Sequence, residues 1–209
     1  LENEGIKCFL QDGSGITAET DLVVVSTAIE DTVYEVKKAK ELGIPIIKRS
    51  QLLAMIAKSK KTIAVAGTSG KSTTSAMLFQ ILLDAGLEPS IISGAGLTSI
   101  IKQGKIGNAY VGKGDWLIIE ADESDGSVVQ YEPEIGLLLN IDKDHQEIDE
   151  LIELFTIFRK NTKGLYIVNQ SNALAKTLSA NIKNDFGFEN EISELRLKLM
   201  QANTNNEND

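Results

Sequence analysis

Thr62-Ile63-Ala64-Val65-Ala66-Gly67-Thr68-Ser69-Gly70-Lys71-Ser72 is the stretch that decides the fold. Thr62 to Ala66 reads as a buried strand, Gly67 to Gly70 as a tight turn, and Lys71 onward as a helix carrying the apolar residues Ala76, Met77, Phe79, Ile81 and Leu82. A turn placed there opens a helix, where unpaired N–H groups and the helix dipole favour an anion. The glycines let the backbone approach that anion, Lys71 can reach β and γ phosphates, and the Ser72 hydroxyl can ligate Mg2+. The general phosphate-loop pattern also asks for a glycine five positions before Gly70, where Val65 stands, so this is a shorter variant. The nucleotide-binding expectation covers Gly67, Thr68, Ser69, Gly70, Lys71, Ser72 and Thr73.

Working outward, strand-length apolar runs alternate with helical patterns, the signature of a parallel sheet with crossover helices. The α/β reading places strands at 21–27, 44–48, 62–66, 90–93, 109–112, 116–121, 135–141 and 165–169. Helices are expected at 33–42, 50–57, 71–85, 149–161 and 172–180. The basic stretch 58–61 reads as a linker between two domains. Residues 1–58 have only two clear strands and no preceding glycine-rich βα turn, so they read as the back half of a Rossmann-like domain. Residues 59–188 form the unit that holds the phosphate loop, a mostly parallel sheet with flanking helices. Residues 189–209 read as a short charged helical segment followed by a polar tail expected to be disordered.

The 209 residues, 42% of them hydrophobic, suffice for one large domain or two small ones. No run approaches the ~20 consecutive apolar residues of a membrane span, and the first residues lack the order of a signal peptide, so a cytoplasmic, non-membrane protein is expected. The net charge of -9 disfavours general attraction to nucleic acid. It leaves room for an anionic ligand held locally by backbone N–H groups, one lysine or a bound cation. The single cysteine, Cys8, reads as a small semi-buried apolar residue.

Two further strands deliver polar groups to the edge where ligands bind in such sheets. The run 116–119 leads into Glu120-Ala121-Asp122-Glu123-Ser124-Asp125, whose four acids repel unless compensated. They form either a hard-oxygen site for Mg2+ beside phosphates or a solvated acidic loop. The run 135–141 leads into Asp142-Lys143-Asp144-His145. His145, the only histidine, is either a metal or phosphate contact or an ordinary residue of surface or core.

Together, Ala66-Gly67-Thr68-Ser69-Gly70-Lys71-Ser72-Thr73-Thr74, Glu120-Ala121-Asp122-Glu123-Ser124-Asp125 and Asn140-Ile141-Asp142-Lys143-Asp144-His145 resemble the three ordered motifs of the Mur ligases. The nearest branch is the one that adds alanine or a peptide to UDP-N-acetylmuramate. Residues 21–29 and 43–47 also resemble the end of that family's UDP-sugar-binding domain. The resemblance implies that a substrate carboxylate attacks the γ-phosphate of ATP, giving an acyl phosphate that an amine then attacks. Amide, ADP and phosphate result, in peptidoglycan synthesis or recycling. It further implies catalytic roles for Lys71, Glu120 and His145. Lys71 would steady the β and γ phosphates, Ser72 and Glu120 would hold one Mg2+, and His145 would help to hold a second. Metal and cation there would neutralise the repulsion between a carboxylate and a polyanion.

Three departures accompany the resemblance. Ser69 stands where close relatives carry histidine. Phe155, or Lys160 if the alignment shifts, stands where several sister ligases carry a carbamylated lysine. The rest of the ATPase domain and a C-terminal domain have no counterpart after Phe188. Two rival readings are a ligase like folylpolyglutamate synthase, which the Rossmann-like piece disfavours, and a nucleotide-binding module without turnover of its own.

Overall fold

The computed structural model describes residues 1–124, 126–143 and 146–187. Strands β1 (Val23–Val25) and β2 (Ile46–Lys48) pair in parallel as a small sheet. The larger sheet contains β3 (Lys61–Ala66), β4 (Ser90–Ile92), β5 (Ala109–Tyr110), β6 (Trp116–Ala121), β7 (Ile135–Leu138) and β8 (Leu165–Val168). Their order is β5-β4-β6-β3-β7-β8, all parallel neighbours except the antiparallel edge strand β5. The helices are α1 (Tyr34–Glu41), α2 (Arg49–Lys58), α3 (Lys71–Asp84), α4 (Thr98–Ile101) and α5 (Ile148–Asn161).

The central strands are apolar because both faces of the sheet are covered. Side chains alternate between the faces. Ala64 and Ala66 of β3, with Leu117 and Ile119 of β6, face a core completed by Leu53, Ala54 and Ala57 of α2 and by Leu151, Phe155 and Phe158 of α5. Ile63 and Ile118, with Ile91 of β4, face the other way, onto Phe79 of α3, Leu97 before α4 and Ile100 of α4. Small alanines on β3 let the helices on the first face come close. The result is a three-layer α/β/α sandwich with β3 at its centre.

All eight expected strands exist, several of them shorter than read; β7, for instance, stops at Leu138. The helix expected at 172–180 is instead a 3-10 turn, Ala175–Leu178. Its polar side chains bond locally and compete with a helical ladder: Asn172 Oδ1 accepts from Ala175 N at 2.8 Å and Ile141 N at 3.2 Å, and Thr177 donates to Leu174 O at 2.6 Å. The basic stretch 58–61 is short, since Lys58 ends α2 and Lys61 begins β3. Lys60 Nζ is fastened to Gly114 O at 2.7 Å. Cys8 is exposed, not semi-buried, because the segment around it carries its apolar side chains outward with it. The segment 189–209 lies outside the described residues.

Candidate functional site

The site forms where three neighbouring strands end at the same level. Register pairs Val65 of β3 with Glu120 of β6 and Ala66 with Leu138 of β7, so the turn after Ala66 meets residues 120–124 on one side and 139–142 on the other. Gly67 is buried and has φ 135; a Cβ there would lie 3.1 Å from the N and O of Asn140. Only glycine accepts both constraints. Gly70, at φ 83, turns the chain into the first turn of α3.

Asn140 clamps the turn. Its Oδ1 accepts from Ser69 N at 2.9 Å, its Nδ2 donates to Ser69 O at 3.0 Å, and its backbone O accepts from Thr68 N at 3.3 Å. Thr68 Oγ1 in turn accepts from Asp142 N at 2.9 Å. The loop is thus held by β7's exit, and the first N–H groups of α3 have no partner within the helix.

The described acids, Glu120, Asp122 and Glu123, are each compensated. Glu120 accepts at Oε2 from Ser72 Oγ, 2.9 Å, and at Oε1 from Ser93 Oγ, 2.5 Å, and Gly94 N, 2.9 Å. Glu123, 5% exposed, takes both oxygens to Lys71 Nζ at 2.8 and 3.1 Å. Burial by itself would raise the Asp122 carboxyl, but the Ser124 N–H and hydroxyl and the charges of Lys71 and Arg49 outweigh it and hold the group below its usual range. Among the described acids of the run, Glu123 is locked to the phosphate-loop residue Lys71 and Glu120 to Ser72. Among the described residues no group of three or more His, Cys, Asp or Glu side chains is arranged to hold a metal. Asp125, Asp144 and His145, and with them the metal role expected of His145, lie outside the described residues.

Lys71, Ser72 and Glu120 are brought together, and Gly67, Thr68, Ser69 and Gly70 form one turn beside them. Thr73 sits exposed in the first turn of α3 and lines an open cavity of about 480 Å3 with Ser72, Met77, Gln80, Ser93 and Leu97. Phe155 is fully buried in the core facing α2, so no lysine-like chemistry is available at that position. Sequence reading missed Asn140, Ser93 and Gly94 as parts of the site. Asn140 carried a signal, as the polar residue ending a buried strand; Ser93 and Gly94 became legible only through strand register.

Residues 65–208 match the Mur ligase middle domain, and residues 1–61 match a model described as Mur ligase family, catalytic domain. A UDP-N-acetylmuramate--L-alanine ligase of Nostoc punctiforme is 44% identical over 147 residues, covering 68% of this chain and 30% of that protein. The same-named enzyme of Desulforamulus reducens is 38% identical over 189 residues, 87% of this chain and 40% of its own. The chain thus spans well under half the length of these curated relatives. Among solved structures, UDP-N-acetylmuramate-alanine ligase from Thermotoga maritima superposes with a TM-score of 0.78 at 25% identity, over 90% of this chain and 44% of that one. A murein peptide ligase from Psychrobacter arcticus gives 0.65 at 25% identity, over 76% and 38%. A glycine turn clamped by the next strand, a lysine and serine locked to acids of a neighbouring strand, and a match that covers most of the sequence make this chain a member of the Mur ligase family.

Proposed function

We propose that this chain carries the ATP site of a ligase that joins a carboxylate to an amine in peptidoglycan precursor synthesis or recycling. The observation that carries the reading is the turn Gly67 to Gly70 at the start of α3, with Lys71 and Ser72 held beside it by acids from the neighbouring strand. Loop N–H groups and the dipole of α3 would receive the β and γ phosphates, and Lys71 would neutralise charge developing on the transferred phosphoryl group. Ser72 Oγ and Glu120 Oε2, 2.9 Å apart, make a hard-oxygen pair that suits Mg2+. They would hold the ion, with His145 expected to assist a second, and the ion's role would be to offset phosphate charge.

The acceptor on this reading is a UDP-N-acetylmuramate compound whose carboxylate becomes an acyl phosphate, and the amine belongs to L-alanine or a peptide. Support comes from the relatives' names and from the meeting of the two family matches between residues 61 and 65. We further propose that 1–58 descends from a UDP-sugar-binding unit and 59–188 from the ATPase unit, even though α2 packs into the second core. No described helix is long and apolar enough to cross a membrane.

The test is phosphate release from ATP by the whole gene product containing this sequence, with and without UDP-N-acetylmuramate and L-alanine or the murein tripeptide. Release that requires the muramyl compound and one of these amines is expected. Silence with every combination would overturn the substrate assignment while leaving nucleotide binding by the loop to be judged separately.

A further inference from the structure

An ammonium has three N–H donors, and Lys71 has three acceptors: Gly67 O at 2.8 Å, Glu123 Oε2 at 2.8 Å and Glu123 Oε1 at 3.1 Å. Every donor that the phosphate-loop lysine could offer a nucleotide is engaged by the protein. The pair is not a loose surface contact: the side chains of Lys71 and Glu123 are 15% and 7% exposed. Glu123 is itself tied down, since Gln146 Nε2 donates to its backbone O at 3.1 Å. Its backbone O also accepts from Gly126 N at 3.0 Å. A phosphate arriving at the turn must take an N–H from this carboxylate or from the Gly67 carbonyl, and the carboxylate holds two of the three contacts.

We propose that Glu123 is a positioning residue whose carboxylate takes the Lys71 contacts that a phosphate would otherwise make. It holds the Lys71 ammonium over the Gly67 carbonyl, and the nucleotide binds by displacing it. Two consequences follow from elementary electrostatics. Lys71 is ordered before the ligand arrives, so its side-chain entropy is already spent. The nucleotide meanwhile competes with a bidentate carboxylate, so Glu123 weakens affinity and favours ligands with enough negative charge to win the exchange. Glu120 differs, because its oxygens engage the Ser72 and Ser93 hydroxyls and Gly94 N and no cation among the described residues.

This proposal rests on the reading of Gly67 to Ser72 as a nucleotide phosphate site. Its test is calorimetric titration of the chain with Mg-ATP, carried to millimolar nucleotide, for wild type, Glu123→Gln, Lys71→Ala and the double variant. Glu123→Gln should bind roughly three- to tenfold more tightly, because the amide cannot hold the ammonium as an ion pair. The double variant should gain nothing over Lys71→Ala. Glu123→Asp, whose shorter arm loosens the contact while keeping the charge, should show a smaller gain of the same sign, and it serves if the glutamine variant melts early. Unchanged or weaker binding in folded Glu123 variants would overturn the proposal. So would an equal gain in the Lys71→Ala background, which would mean simple repulsion of ATP by Glu123 rather than competition for Lys71. Failure of the underlying reading looks different: Lys71→Ala would then bind ATP like wild type.

Discussion

Val65 stands where longer phosphate loops have a glycine, and it is fully buried, paired across the sheet with Glu120 and Leu137. The turn begins only at Gly67, where the backbone needs φ 135, so the sequence departure marks a shorter loop rather than a damaged one. Residues of this kind are legible in sequence because their type is tied to one backbone geometry. Glu123 is not, since its partner lies 52 positions away and depends on which strands pair. Tyr166 shows a different physics. Its hydroxyl is buried with no hydrogen-bond partner among the described residues, while its ring packs edge-on against Phe158 at 6.0 Å. Burial pushes its pKa up, Arg159 opposing and Asp185 adding to the shift. The folded phenol stays neutral where the unfolded one ionises, near pH 10, so its contribution to stability is complete below that pH and is lost as pH rises above it. Tyr166→Phe should raise stability by about 1 kcal/mol at neutral pH. It should also flatten the alkaline loss, as read by urea unfolding between neutral pH and pH 11; destabilisation at neutral pH would mean that the hydroxyl has a partner.

At the scale of elements, each strand near the site delivers one function: β3 the turn, β6 the acids, β7 the clamp through Asn140. Strand existence was readable because buried parallel strands are nearly all apolar, and α3 and α5 because their apolar residues recur at helical spacing. Strand ends were not readable. Leu139 N makes a last bond to Ala66 O, and the strand then ends because Asn140 turns its side-chain amide to the backbone of Ser69. The 172–180 segment failed as a helix because Asn172 spends its side chain on the backbone of Ala175 and Ile141. Asn140→Ala removes its side-chain bonds to Ser69, so it should cost about 1–2 kcal/mol in thermal or chemical unfolding. It should also weaken nucleotide binding through a loosened loop. An unchanged melting temperature together with unchanged affinity would contradict the clamp.

For the whole molecule, two sheets share one helix. Leu53, Ala54 and Ala57 of α2 complete the core beneath β3 and β6, although a division at residue 58 would assign α2 to the N-terminal unit. A chain beginning at Lys60 should therefore be less stable than one beginning at Lys48, by roughly 2–4 kcal/mol for the lost apolar burial; equal stability in guanidinium unfolding would show that α2 is dispensable to the larger sheet. The central claim, however, is that this sheet edge holds the phosphates of ATP. Calorimetric titration of Mg-ATP into the chain and into Lys71→Ala tests it most directly. Loss of one charge-assisted contact to a polyphosphate should cost on the order of 1.5–3 kcal/mol, roughly a ten- to hundredfold weakening, with the fold intact by circular dichroism. Affinity equal to that of the wild type, or no ATP binding by the folded wild-type chain, would contradict it.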